Sequence, residues 1–211
     1  MTRLLMALLA VAAPAQPQEA EAILARAAER HRSLVTLQAS FTQTIRNPVL
    51  EKDETSTGTF SYKAPLQYRI AFERPPEDVV VSTGEEVWIY LPSSQPGQVI
   101  TSPVSEGSKG FAPYQFLYEF KDRYAPALVG EEPVAGRRSY HLTLTPVSPE
   151  AEYVRAELWV DKASSLTRRM EVEEANGVVR RFTLEGHRTD VPLSGSLFRF
   201  TPPRGVEVFE Q

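Results

Sequence analysis

The sequence contains no cysteine and only three histidines among its 211 residues. The lack of cysteine excludes disulfides, thiolate metal sites, a thiol nucleophile and a lipid-modified cysteine at the N-terminus. No polybasic cluster occurs and the formal net charge is −4, so neither nucleic acid nor an anionic membrane surface is an expected partner. The composition, 42% hydrophobic and 24% charged, is that of an ordinary globular chain with one domain.

Motifs of catalysis and metal binding are also scarce. Residues 194–196 read Ser-Gly-Ser and lack the glycines that a hydrolase nucleophile elbow needs. The three histidines lie in separate segments, so a histidine metal site is not expected. We therefore predict a protein that is not an enzyme and that uses no metal or other cofactor.

Residues 1–15 have the parts of a secretory signal peptide: a basic start at Arg3, an apolar run over 4–13, and small residues at a cleavage site. The apolar run spans about ten residues, half of the roughly 20 that a membrane-spanning helix needs. We predict cleavage after Ala13 or Ala15, export to the periplasm, and a single domain over residues 16–211.

Residues 17–34 repeat apolar side chains at steps of three and four, which predicts one amphipathic helix. The apolar side of this helix consists of Ala20, Ile23, Leu24, Ala27, Ala28, His31 and Leu34. No candidate partner lies near His31 in the sequence, and this favours a packed histidine over a catalytic one.

After Ser33 the apolar period changes from 3.6 to 2, with turn residues at short intervals, and this predicts roughly ten β-strands. Each strand has one apolar and one polar face, a pattern typical of antiparallel sheets. The strongest hairpin signal is Asn176-Gly177, which separates two alternating segments. The predicted fold class is mainly β with a few helices.

An aromatic segment over residues 107–121 interrupts the strands, and Pro113 marks the start of a short predicted helix. Together with the first helix, this segment would close one side of a strongly curved sheet. The same pattern also fits a segment that fills a core, and the sequence leaves both interpretations open.

The apolar side of the predicted strands is rich in aromatic rings, and a cavity among them would select lipid-like ligands. Burying hydrocarbon there contributes about 0.8 kcal/mol for each methylene group. The inward residues are Phe41, Phe60, Tyr62, Tyr68, Ile70, Phe72 and Phe182.

Four stretches of the sequence, taken in order, are similar to the periplasmic lipoprotein carrier family of Gram-negative bacteria. They are residues 33–43, then Gly58-Thr59-Phe60 with Pro65, then residues 81–84 with Val87-Trp88-Ile89-Tyr90 and Pro92, and finally residues 198–206. The resemblance covers most of the chain after the signal peptide. It implies a half-open antiparallel β barrel of ten or eleven strands that is closed by a helical lid, with the acyl chains of lipoproteins bound beneath the lid.

The resemblance also implies residues for each part of the site. In the family, an arginine before the proline that matches Pro65 latches the lid, and here that position is Ala64. The implied cavity contains the inward residues above and also Trp88, Tyr90 and Met170. The implied lid residues are Ile23, Leu24, Ala27, Phe111, Tyr114, Leu117 and Tyr118.

The implied partners are acylated lipoproteins as cargo, an inner-membrane ABC transporter complex that loads them, and an outer-membrane acceptor lipoprotein. The protein itself is expected to be a monomer. Three alternatives are a generic periplasmic lipid-binding protein of the same fold, an outer-membrane β barrel, and a hydrolase with an unrecognised site. Most predicted strands, of about five to nine residues, are shorter than the roughly 9 to 11 that a membrane strand needs, which argues against the membrane barrel.

Overall fold

The computed structural model describes residues 16–48, 52–104, 117, 120–148, 151 and 153–211. The predicted signal peptide, residues 1–15, lies outside the described residues. So do Phe111, Tyr114 and Tyr118, three of the predicted lid residues.

The described elements are two α-helices, one 3₁₀ helix and twelve strands. The helices are α1 (Gln16–Arg32) and α2 (Phe120–Arg123), and the 3₁₀ helix covers Gly195–Phe198. The strands are β1 (Thr36–Asn47), β2 (Lys52–Lys63), β3 (Gln67–Arg74), β4 (Val79–Ser82), β5 (Glu86–Tyr90), β6 (Gln98–Pro103), β7 (Tyr124–Val134), β8 (Arg137–Pro146), β9 (Tyr153–Asp161), β10 (Thr167–Glu174), β11 (Val179–Thr189) and β12 (Glu207–Glu210).

All twelve strands join one sheet in the order β12-β6-β5-β4-β3-β2-β1-β11-β10-β9-β8-β7. Neighbouring strands pair antiparallel, except that β12 runs parallel to β6. The mainly β prediction is confirmed, but the predicted ten or eleven strands are too few and the pairing is not wholly antiparallel. The sequence does not predict β12, because its four residues are all exposed and show no alternation of apolar and polar sides.

The predicted hairpin at Asn176-Gly177 joins β10 to β11. Gly177 has a φ of +83°, a left-handed conformation that glycine adopts without strain. Across the turn, the backbone N–H of Glu174 donates to the carbonyl oxygen of Val178 at 2.9 Å. The hairpin sets the register of β11, which then pairs with β1 in the middle of the sheet.

Helix α1 packs its apolar side onto one face of the sheet and lies next to β7. Leu24 is 0% exposed, and Ile23 and Ala27 are each 1% exposed. The predicted amphipathic helix is confirmed, although it ends at Arg32 and not at residue 34. The last turn closes through the backbone N–H of Ser33, which donates to the carbonyl oxygen of Glu29 at 3.0 Å.

The opposite face of the sheet carries a second, smaller apolar layer at β4 to β6. Val79, Val81 and Val99 are buried there, and none of them belongs to the core cluster under α1. The C-terminal segment that contains the 3₁₀ helix lies on this layer, since Phe198 is 1% exposed and Arg69 Nη1 donates to the carbonyl oxygen of Leu197 at 3.4 Å. This part of the sheet is therefore covered on both faces.

Candidate functional site

Most of the residues predicted to face inward lie together in one buried cluster, to which the apolar side of α1 also belongs. Phe72 packs against the margin of the buried cluster and is partly exposed. The other predicted cavity residues that belong to the cluster are each at most 8% exposed. These buried members are Phe41, Phe60, Tyr62, Tyr68, Ile70, Met170 and Phe182.

Strand pairing explains why aromatic residues far apart in the sequence meet. β1 lies between β2 and β11, and the ring of Phe41 stacks on that of Phe182 with centroids 4.7 Å apart. Phe72, from β3, meets Phe41 edge-on at 5.2 Å. Aromatic pairs of this geometry contribute about 0.5–1.5 kcal/mol beyond the burial of their area. The three rings form the centre of the candidate site.

The described lid residues contact this same cluster. Ile23, Leu24 and Ala27 of α1 belong to it, and so does Leu117, which is 3% exposed. These side chains of α1 are therefore buried in the same apolar cluster as the aromatic rings. The prediction that the first helix forms a lid over the aromatic face stays a prediction.

Trp88 and Tyr90 are not part of the cluster, and their predicted place in the cavity needs correction. Val87 belongs to the cluster and Ile89 packs against it, and neighbours in a strand point to opposite faces. Trp88 and Tyr90 therefore face the other side of the sheet, where Phe200 lies with its ring centroid 5.6 and 6.1 Å from theirs. Both faces of β5 are apolar, so the sequence pattern did not distinguish them.

Two tyrosine hydroxyls differ in their surroundings. Tyr62 and Tyr68 are paired residues of β2 and β3, and the hydroxyl of Tyr62 donates to the carbonyl oxygen of Pro65 at 3.2 Å. The hydroxyl of Tyr68 is fully buried and has no hydrogen-bond partner within the described part of the chain. Burial raises the pKa of Tyr68 to about 12, so the hydroxyl keeps its proton at neutral pH and is a potential donor.

His31 is a packed histidine, as the sequence suggested. It is 2% exposed, and its ring lies 4.8 Å from that of Tyr62. Burial, together with the charge of Arg32, lowers the pKa of His31 to about 4. The imidazole is therefore neutral at pH 7 and adds no charge to the apolar site.

The connection between α1 and β1 is held by backbone contacts that the sequence did not reveal. Asp190 accepts a hydrogen bond from the backbone N–H of Val35 at 3.0 Å, and its other carboxylate oxygen lies 4.0 Å from Arg30 Nη2. The carbonyl oxygen of Val35 accepts from the backbone N–H of Ala64 at 2.9 Å. Ala64, the predicted latch position, thus contacts the connection between α1 and β1 through its backbone, and its side chain packs against the core.

Within the described residues, no group of three or more histidine, aspartate and glutamate side chains is arranged to hold a metal ion. Among those same residues, no helix is both long and apolar enough to cross a bilayer.

Comparison with known proteins identifies the family. Residues 32–201 match the family described as "Outer membrane lipoprotein carrier protein LolA". The chain belongs to the LolA family. The matched residues begin at the end of α1 and include β1 to β11 and the 3₁₀ helix.

Relatives of the LolA family are similar over most of their length. A protein of Methylibium petroleiphilum named "Outer-membrane lipoprotein carrier protein" is 30% identical over 179 residues, which are 83% of this chain and 83% of that protein. A protein of Methylococcus capsulatus with the same name is 29% identical over 183 residues, 83% of this chain and 81% of the relative.

A solved structure shares the LolA-like fold. The crystal structure of an uncharacterized conserved protein from Thermus thermophilus covers 92% of this chain and 100% of its own, with a TM-score of 0.59 and 20% identity. At that identity the likeness concerns the fold alone. The fold of this chain therefore has a counterpart of known structure.

Proposed function

We propose that this protein is a periplasmic carrier that binds the acyl chains of lipoproteins against its aromatic sheet face and moves them from the inner to the outer membrane. The observation that carries the proposal is one buried apolar cluster that holds Phe41, Phe182 and Tyr68 of the sheet together with the apolar side of α1. The membership in the LolA family and the names of the relatives support the same role.

In this proposal the sheet forms a half-open barrel and α1 is its lid. The acyl chains take the place of α1 over the rings of Phe41, Phe72 and Phe182. Met170 helps to accommodate chains of different shape, because its unbranched side chain adapts to irregular space. The lid roles of Phe111, Tyr114 and Tyr118 remain predictions.

In such a carrier, the free energy of binding depends on replacing α1 by an acyl chain over the apolar face of the sheet. Displacing α1 exposes apolar surface at a cost of about 25 cal/mol for each Å². An acyl chain that replaces the helix covers the sheet again and gains about 0.8 kcal/mol for each methylene removed from water. The open state is therefore disfavoured without cargo and favoured with it, so binding and opening are coupled. Because the net free energy gained on binding is small, the cargo can be released to an acceptor that binds it more tightly.

The remaining parts of the proposal concern partners and location. An inner-membrane ABC transporter complex loads the cargo, and an outer-membrane acceptor lipoprotein receives it. The protein acts as a monomer, without enzymatic chemistry, after cleavage of a signal peptide behind Ala13 or Ala15. Acylated protein co-purifying with the chain from periplasm supports this role, whereas bound phospholipid alone favours a generic lipid carrier of the same fold.

A binding experiment with matched variants tests the site. A carboxylate in the apolar cluster loses its hydration without gaining a partner, so Tyr68→Glu is expected to weaken binding of a fluorescent diacylated lipopeptide by at least about tenfold. Val208→Glu serves as the control, because Val208 is 42% exposed on β12, at one edge of the sheet. Equal binding by the wild type and Tyr68→Glu would remove Tyr68 from the site.

A further inference from the structure

The hydroxyl of Tyr68 is a buried polar group that makes no hydrogen bond within the described part of the chain. Tyr68 is 8% exposed, and its hydroxyl oxygen is buried with no hydrogen-bond partner in the residues that the structure describes. Leaving a buried polar group unpaired is unfavourable, and native proteins satisfy the large majority of such groups. A phenylalanine would fill the same space without this cost.

Two backbone carbonyl groups shortly before Tyr68 in the chain, those of Pro65 and Leu66, already accept other hydrogen bonds. The hydroxyl of Tyr62 donates to the carbonyl oxygen of Pro65 at 3.2 Å. The hydroxyl of Ser82, the residue opposite Tyr68 on β4, donates to the carbonyl oxygen of Leu66 at 2.7 Å. Of the three hydroxyls of Tyr62, Ser82 and Tyr68, that of Tyr68 is the one that donates no hydrogen bond among the described residues.

We propose that the hydroxyl of Tyr68 donates a hydrogen bond to the carbonyl oxygen at the head of a bound acyl chain. This inference rests on the proposed function and adds a chemical selectivity to it. An acyl chain differs from an alkyl chain by this carbonyl, which is a good acceptor. The apolar rings of the cluster provide affinity for hydrocarbon, and Tyr68 distinguishes the acyl group from a plain hydrocarbon tail.

The position of Tyr68 suits the head of a chain. Tyr68 lies near the start of β3, and Ile70 and Phe72 follow on the same face of that strand. The three residues extend over roughly 13 Å of strand, at about 3.4 Å for each residue. A chain whose carbonyl reaches Tyr68 can therefore lie along Ile70 and Phe72 toward the ring of Phe41, which Phe72 contacts.

The test compares an ester with an ether. The two probes are a peptide with an S-diacylglyceryl cysteine and the same peptide with ether-linked alkyl chains of equal length, so that only the carbonyl oxygens differ. Each probe is titrated against the wild type, Tyr68→Phe and Tyr62→Phe. We expect the wild type to bind the ester about tenfold more tightly than the ether, because the ester satisfies a donor that the ether leaves unpaired.

The variants assign this preference to one hydroxyl. Tyr68→Phe is expected to bind the two probes equally. Tyr62→Phe removes the same atom from the neighbouring tyrosine, whose hydroxyl already bonds to Pro65, and is expected to keep the tenfold ratio. Equal binding of the two probes by the wild type, or a tenfold preference retained in Tyr68→Phe, overturns the inference and leaves the proposed carrier function standing. A wild type that binds neither probe overturns both.

Thermal unfolding gives a second measurement that does not depend on ligand. Removing an unpaired buried hydroxyl is expected to leave the melting temperature of Tyr68→Phe at or above that of the wild type. A clear decrease would show that the hydroxyl has a stabilising partner within the folded protein, and the inference would then be wrong.

Discussion

The ring of Phe41 lies directly against the backbone of Gly58, its opposite residue on β2. A β-carbon placed on Gly58 would be 2.7 Å from Phe41 Cε1 and 2.1 Å from the carbonyl oxygen of Ala71. The missing side chain at Gly58 thus provides the room in which Phe41 stacks on Phe182. Gly58 has an ordinary backbone conformation, so close packing explains this glycine and backbone strain does not.

Replacing Gly58 by alanine is expected to destabilise the protein by about 3 kcal/mol, at the upper end of the range for overpacked cores. The added methyl group collides with a backbone oxygen of β3, which cannot turn away without opening the ladder between β2 and β3. Chemical denaturation measures the change. Gly195→Ala is the matched control, since a β-carbon there meets nothing within 4 Å, and a similar loss in both variants would refute the packing argument.

A buried ion-pair network joins the β9–β10 turn to the neighbouring strand ends. The carboxylate of Asp161 is 1% exposed and accepts from Arg168 Nε at 3.1 Å and Arg137 Nε at 3.0 Å. It also accepts from the backbone N–H of Ser164 at 2.8 Å. Burial alone would raise the pKa of Asp161, but the hydrogen bonds from Arg137 and Ser164 and the charge of Arg168 hold it well below its usual range.

Asp161→Asn is therefore expected to cost about 3 kcal/mol of stability, because the Arg168 side chain, only 10% exposed, is left without its counter-charge. For a chain of this size the melting temperature should fall by roughly 6–12 °C. Glu131→Gln removes an exposed carboxylate that pairs with Arg138 and Lys162 and should change the melting temperature little. An equal decrease in melting temperature for both substitutions would contradict the argument that the burial of Asp161 makes its ion pairs important for stability.

One buried and one half-buried histidine, His31 and His187, predict a loss of stability in mild acid. Burial, with the charge of Arg32, lowers the pKa of His31 to about 4, and burial, with the charge of Arg168, lowers that of His187 to about 4. The unfolded chain takes up protons near pH 6.5, before the folded chain does. Stability is thus constant above pH 6.5 with respect to these groups and falls as the pH drops from 6.5 to about 4.

His31→Gln tests this pH dependence. Each histidine contributes about 1.4 kcal/mol for each pH unit within the window, because one extra proton binds to the unfolded state. The slope of unfolding free energy against pH should therefore decrease by that amount in His31→Gln, with His187 left in place. An unchanged slope would show that His31 is protonated in the folded protein near its ordinary pKa.

Introducing an arginine at position 64 is expected to slow release of cargo. The family resemblance implies an arginine at this position that latches the lid, and here the backbone N–H of Ala64 donates to the carbonyl oxygen of Val35, in the connection between α1 and β1. The measurement is the rate at which a fluorescent lipopeptide leaves Ala64→Arg for acceptor vesicles. Ala64→Met adds bulk without hydrogen-bond donors, so equal slowing by both variants would assign the effect to bulk and not to a latch.

Much of the fold is readable from local patterns. Apolar steps of three and four residues identify α1, strict alternation identifies the two faces of β1 and β3, and Asn176-Gly177 identifies the hairpin of β10 and β11. These features are predictable because they depend on residues close together in the chain, where backbone geometry alone decides which side chains share a side.

The errors of prediction occur where local pattern carries no information. β5 has apolar side chains on both faces, so nothing in its sequence tells that Trp88 belongs with Phe200 and Val87 with the cluster under α1. A distant segment, and not β5 itself, determines what covers each of these side chains.

The sequence alone determined the periodicity of each element, the absence of thiol chemistry and the aromatic character of one sheet face. The order of the strands required the tertiary structure, because the pairing of β1 with β11 joins segments that no local rule connects. Only that pairing places Phe182 on Phe41. Only the packed chain shows that the hydroxyl of Tyr62 has an acceptor while that of Tyr68 has none within the described residues, since hydrogen bonding depends on distances that the order of residues does not specify.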